Sequence, residues 1–373
     1  MGNSRVWWVA LNLALSRCPS IARSLLARFR DPRAILTAPA EAIAGVPAVT
    51  PRLAARLLDP RLLDAAAAEM ASADRRSIRI LIRDDPEFPA ILDQLADPPS
   101  VLYARGSLRP EDDPAVAMVG SRRASPYGLE MSRFLAGEIA GAGVTVVSGM
   151  ARGIDEAAHR GALEARGRTV AFLGSGIDRI YPPESRRLAE AIADHGAILS
   201  EFPLGTAPLP GNFPVRNRLI SGIGRGVVVV EAAPRSGSLI TVRMALEQGR
   251  EVFAVPGNVT ARGALGPNFL IQQGAKLVMR GRDVLEEIPG VQLSPEAPVM
   301  RPEDLDTPEA GEAGRVLALV PGDEGVGVDD LAARAKMEPG PLLAVLLDLE
   351  INDRVRRLPG RRFIRRRRRA ELE

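Results

Sequence analysis

The chain has 373 residues, 46% of them apolar and 25% charged, with a net charge of +3. That is the balance of an ordinary soluble globular protein, long enough for two or three domains. One cysteine, Cys18, and two histidines, His159 and His195, exclude an internal disulfide and any metal cluster built on Cys or His ligands.

From the N-terminus, Arg5 precedes the apolar run Val6–Leu15. Asn12 breaks the run, and Arg17 stands where a lipoprotein cleavage site needs a small residue. The run is therefore read as the first amphipathic helix of a folded domain and not as a signal peptide. Nothing else approaches the ~18 apolar residues of a membrane helix, so a cytoplasmic protein without a membrane partner is expected. Leu11, Leu15, Ile21, Leu25, Leu26 and Phe29 repeat at helical intervals, punctuated by Pro19, Pro32 and Pro39, which predicts a helical domain over residues 1–75. Ile43–Thr50, followed by Arg52–Leu58, has the form of a helix-hairpin-helix module, but Pro47 stands about where its second hairpin glycine belongs. A small SAM-like packing domain is the favoured alternative. Residues 76–114 are turn-rich and polar around one strand at Ile78–Ile82, and are read as a connector.

Over residues 115–289 strand, glycine turn and helix alternate. Strands are expected at Ala115–Val119, Val144–Val147, Thr169–Leu173, Ala197–Ser200, Gly226–Glu231 and Glu251–Val255. Helices are expected at Tyr127–Ala142, Ile154–Ala165, Ser185–Asp194 and Leu239–Gln248. The Gly226–Glu231 and Glu251–Val255 runs are too short for buried helices and are rich in β-branched residues. The alternation predicts an α/β fold, an extended Rossmann-like parallel sheet, with ligands at the carboxyl ends of the strands. Residues 290–314 form a Pro- and acid-rich linker. Residues 315–364 carry three helical patterns, with Val355–Leu358 and Arg362–Ile364 as a hairpin, and fit a winged-helix domain. Residues 365–373 are a basic tail.

The small and basic residues of the core fall at strand ends. Gly120, Ser121, Arg122 and Arg123 follow one strand, Gly149 another, and Gly174, Ser175 and Gly176 a third. Ser236, Gly237 and Ser238 open a helix whose first backbone N–H groups can face an anion. Arg216, Asn217 and Arg218 are placed at another helix start. Gly174-Ser175-Gly176 matches the start of a dinucleotide fingerprint, with Glu201 as its acid, but Arg179 occupies the third glycine position, so it is read as a tight turn. Asp155 and His159 lie at i and i+4, and are read as ordering the Ser148–Gly153 loop. Asp178 and Glu231 are expected to orient arginines or backbone. No Gly-x-Ser-x-Gly elbow is present.

With these residues in hand, the chain resembles the bacterial DprA, or Smf, family of DNA-processing proteins. The resemblance rests on Val119–Arg122, Ser148–Asp155 with Ala158-His159, Leu173–Asp178 with Tyr181-Pro182, Ser200–Pro203, Phe213–Arg218, Ser236–Thr241 and Phe253–Gly257, in the family's order over about 140 residues. It implies a protein without enzymatic activity or cofactor. That protein would bind single-stranded DNA in a pocket of its Rossmann domain, form a homodimer through that domain and load the recombinase RecA onto incoming strands during natural transformation. Carried over, the pocket would comprise Gly120, Ser121, Arg122, Gly149, Gly174, Ser175, Gly176, Arg216, Asn217, Arg218, Ser236, Gly237 and Ser238. The arginines and helix-start N–H groups would hold successive phosphates, and Phe172, Tyr181 and Phe213 are the candidate stacking rings. Many members carry a basic residue just after Tyr-Pro, where this chain has Pro183 and Glu184. The alternatives are a nucleotide phosphoribohydrolase, disfavoured because no carboxylate follows the Arg235–Thr241 turn before Glu247, and a sequence-specific repressor, disfavoured because Leu342–Ile351 is mostly apolar and acidic.

Overall fold

The computed structural model describes residues 2–234, 236–291, 312–322, 324–352 and 354–366. They form two compact units, one of residues up to Ala124 with Met131–Val291, the other of Ser125–Glu130 with the chain beyond Val291.

The first unit opens with helices α1 (Gly2–Leu15), α2 (Pro19–Phe29), α3 (Pro32–Leu36), α4 (Ala40–Ala44), α5 (Pro51–Leu57) and α6 (Arg61–Asp74). Proline begins α2, α3 and α5, where its missing N–H costs nothing, and the Asp31 and Thr50 side chains cap α3 and α5. Strands β1 (Arg79–Ile82) and β2 (Val101–Gly106) follow as an antiparallel pair. Residues 79–82 and 101–106 of the predicted connector are thus strands of the sheet. The β2 strand lies between β1, its near neighbour in sequence, and β6, nearly 100 residues further along.

The alternating region gives β3 (Ala115–Val119), α7 (Pro126–Gly141), β4 (Thr145–Ser148), α8 (Ile154–Glu164), β5 (Thr169–Phe172), α9 (Arg186–His195), β6 (Ala197–Ser200), α10 (Asn212–Ile223), β7 (Gly226–Val229), α11 (Ser238–Glu247), β8 (Glu251–Ala254), α12 (Leu265–Gln272), β9 (Lys276–Leu277) and α13 (Gly281–Leu285). The described strands of this unit form one sheet in the order β1-β2-β6-β5-β4-β3-β7-β8-β9, parallel from β6 through β9. One expectation shifts here: α10 begins at Asn212, so Arg216 and Arg218 lie inside the helix instead of at its start.

Successive strand residues enter different cores, as the two-residue period of a strand requires. Ile80, Val101, Tyr103, Ala171 and Ile198 pack with the N-terminal helices and α9. Leu81, Leu102, Phe172, Leu199 and Val229 pack with α10 and α11. The N-terminal helices therefore cover one face of the sheet and are fused to the core. After β3 the chain moves outward through β4, β5 and β6, then returns to lay β7 on the other side of β3. Such a switch point opens a crevice at the strands' carboxyl ends.

The second unit contains α14 (Glu312–Leu319), β10 (Val326–Gly327), α15 (Val328–Ala335), α16 (Pro339–Ile351), β11 (Val355–Leu358) and β12 (Arg362–Arg365). Its β strands form a three-stranded sheet, and Leu331, Leu342, Leu346 and Phe363 lie in its core, which is a winged helix. Arg365, expected in a free tail, pairs with Val355 in this sheet. Arg366 also belongs to the folded unit, its N–H donating to the Arg354 carbonyl at 2.7 Å, and most of the predicted linker and residues 367–373 of the basic tail lie outside the described residues.

Candidate nucleic-acid interface

The carboxyl ends of β3 and β5 converge on one ring, Phe213, in the first turn of α10. The Arg122 guanidinium carbon lies 4.8 Å from the ring centre, that of Arg216 lies 5.9 Å from it, and the Tyr181 ring is 6.1 Å away at 48°. Arg122 is exposed and Tyr181 is 40% exposed, so a cation and an aromatic face open to solvent side by side. The ring can sit here because position 174 is glycine: a Cβ there would stand 2.8 Å from Phe213 Cδ1. The loop after β3 is tied to α8, whose Ile154 N–H donates to the Ser121 carbonyl at 3.2 Å. The Ser121 hydroxyl accepts from the Arg123 N–H at 3.1 Å.

Behind the ring is a buried charged cluster. Arg216 is 3% exposed, and its Nη1 donates to the Phe172 carbonyl. Asp155 accepts from the N–H groups of Gly149 and Ala151 at 3.2 and 3.3 Å, which orders the loop as expected. A Cβ on Gly149 would collide with Arg216 and stand 2.8 Å from Asp155 Oδ2. Burial raises the Asp155 carboxyl, against the pull of Arg216. Burial lowers the Arg216 guanidinium to about 10, against the pull of Asp155. His159 takes no part in the loop. Its Nδ1 is 2.7 Å from Thr169 Oγ1, whose own proton goes to the Val146 carbonyl, so Nδ1 is the donor. Burial, reinforced by Arg216, pushes its pKa down to about 3, and the ring is neutral.

Several expected contact residues face inward. Arg218 is 7% exposed and donates to Glu201 Oε2 at 2.6 Å. That buried pair removes it from the groove and removes Glu201 as a ribose ligand. Ser175 is buried, its hydroxyl donating to the Arg179 carbonyl at 2.6 Å, and the Gly176 N–H donates to the Thr206 carbonyl at 2.9 Å. This turn is scaffolding that holds the 203–206 loop, together with Asp178, which accepts the Gly205 N–H at 2.8 Å. Phe172 is fully buried in the core and cannot stack on a base.

The Ser236–Ser238 turn follows β7, on the neighbouring side of the switch point. Several amides here are engaged locally: Ser236 N–H by the Ala233 carbonyl, Ser238 N–H by Ser236 Oγ, Leu239 N–H by the Ser236 carbonyl and Ile240 N–H by the Gly237 carbonyl. A Cβ on Gly237 would meet no protein atom within 4 Å, so the space above that backbone is open. Asn217 is half-buried in α10. Two exposed rim arginines were not picked out by sequence as site residues, Arg152 after β4 and Arg179 after β5. The strand-end position that singled out Arg122 was available for both.

Comparison with known proteins matches the family model described as DNA recombination-mediator protein A over residues 79–289, and the DprA winged helix domain over residues 300–361. The Protein Smf of Escherichia coli (strain K12) is 44% identical over 286 residues, covering 75% of this chain and 76% of that protein. The X-ray structure of DNA processing protein A from Streptococcus pneumoniae aligns with a TM-score of 0.66 at 35% identity, covering 75% of this chain and 96% of that one. The structure of DNA processing protein A from Helicobacter pylori, which describes that protein's single-stranded DNA binding mode, aligns with a TM-score of 0.50 at 31% identity, covering 56% of this chain and 93% of that one.

Proposed function

We propose that this chain, which belongs to the DNA recombination-mediator protein A family, binds single-stranded DNA along the rim formed by the carboxyl ends of β3, β4 and β5. The observation that carries this reading is the exposed Arg122 guanidinium stacked on Phe213 beside the open face of Tyr181. A single strand offers phosphates for the first and unstacked bases for the second, whereas a duplex hides its base faces. Arg123, Arg152 and Arg179 extend the positive rim. Gly120, Ser121 and Asn217 belong to the same rim, and Arg216 and Arg218 act from behind it by holding α10. The single-strand binding described for the Helicobacter pylori protein supports the reading.

The site works by binding, not by chemistry. Asp155, His159 and Glu201, buried behind the rim, each hydrogen-bond to the scaffold. Mobility-shift titrations with single- and double-stranded oligonucleotides of one sequence test the reading. The single strand should bind at least about tenfold tighter; equal or tighter duplex binding overturns it.

We infer further that the protein acts in the cytoplasm as a homodimer that delivers the strand to RecA during natural transformation. Family membership supports the delivery step. The onset of RecA's strand-dependent ATP hydrolysis should come earlier on strand already bound by this protein, and an unchanged onset overturns that step. An exposed apolar face supports the dimer: Leu265 and Phe269 at i and i+4 of α12, with Leu277 and Met279 at the edge strand β9, are 41–60% exposed. An open sheet edge with such a face invites a second copy.

A further inference from the structure

At one end of the rim, Arg152 is held by an acid of its own chain. It lies in the loop between β4 and α8, and its Nε donates to Glu184 Oε1 at 2.6 Å. Glu184 lies in the single 3-10 turn Pro183–Ser185, three residues after Tyr181. The two side chains are 61% and 54% exposed, so neither is locked by packing. An ion pair between such exposed groups is weak and gives way readily to a competing anion. The Arg152–Glu184 pair thus sits three residues along the chain from Tyr181, at the Tyr181 end of the Arg122, Phe213 and Tyr181 group, and Arg152 carries an acid clamp there.

We propose that Arg152 is a further strand-binding residue and that Glu184 is a built-in competitor for it, displaced by a phosphate when a strand occupies the rim. The proposal rests on the reading of that rim as a single-strand site. The exchange has a definite ionic signature. In the native protein a phosphate that reaches Arg152 releases its counterion, but the freed Glu184 carboxylate takes one up. With Glu184 neutral, the release is uncompensated.

The test is a salt series of fluorescence-anisotropy titrations with a single-stranded oligothymidylate, using the full chain. Glu184→Gln should tighten binding up to about fivefold at low salt and steepen the plot of log K against log salt by about 0.7. Arg152→Ala should then cost more in the Glu184→Gln background than in the native one. Unchanged or weaker binding by Glu184→Gln, or a gain that survives Arg152→Ala, overturns the proposal. Arg122→Glu run alongside separates the two readings, since unchanged binding by that variant would refute the rim itself. The Gln substitution is isosteric and exposed, so a gain in affinity cannot be ascribed to unfolding.

Discussion

Phe213 rests on Gly174, with only bare backbone beneath the edge of its ring. That seat sets the ring's height between Arg122 and Tyr181, so the ring and the glycine are one device. Phe213→Ala should weaken single-strand binding by about 0.5–1 kcal/mol, the usual worth of the exposed cation–π contact that holds Arg122, with little change in melting temperature because the ring is half-buried at the surface. Gly174→Ala should weaken binding in the same direction by lifting the ring. Titration with an oligothymidylate, alongside thermal melts of both variants, checks this.

Gly149 is tested by stability. An alanine there pushes into the Arg216 guanidinium and the Asp155 carboxylate, where overpacking costs about 1–3 kcal/mol. Gly149→Ala should lower the denaturant midpoint clearly. Gly141→Ala, whose new methyl meets nothing within 4 Å at the end of α7, should not.

The neutral, buried His159 makes a pH prediction. Its pKa is about 3 in the folded chain against an ordinary value of 6.5, so below pH 6.5 the unfolded chain binds a proton that the folded chain refuses. Stability from this group is complete above about 6.5 and is lost as pH falls toward 3, at up to about 1.4 kcal/mol per pH unit. Asp155 and Glu201, raised by burial, act in the opposite sense, because the folded chain holds their protons more tightly. The clean measurement is therefore the difference between native protein and His159→Asn in urea unfolding from pH 7 to pH 5. The native curve should fall more steeply, and parallel curves would contradict the assignment.

Phe269→Arg places a charge in the apolar face of α12. Light scattering behind size exclusion should find the native chain as a dimer and the variant as a monomer. A native monomer at micromolar concentration would refute the proposed assembly.

The sequence exposed the core sheet readily, because strands buried on both faces must be short β-branched runs between glycine turns, as in Val116–Val119 and Val227–Val230. It also exposed the rim, since Arg122 follows such a run directly. Orientation was less legible. Arg216 and Arg218 have the same local setting as a phosphate contact, and what turns them inward is the Phe172 carbonyl and the Glu201 carboxylate, groups on other elements whose approach only the fold reveals. Phe172 and Phe213 are equally aromatic, yet one ends a central strand and the other begins a helix. Ser236–Ser238 has the composition of an anion nest, but the Ser238, Leu239 and Ile240 amides close on the turn itself.

The most direct measurement is the affinity of native protein and Arg122→Glu for a single-stranded oligothymidylate across a salt series. For the native chain, log K should fall steeply and linearly with log salt. The variant should bind at least about tenfold more weakly at low salt and show a shallower slope, with its melting temperature intact. Equal affinity and equal slope for the two proteins would contradict the assignment of this rim to a polyanionic strand.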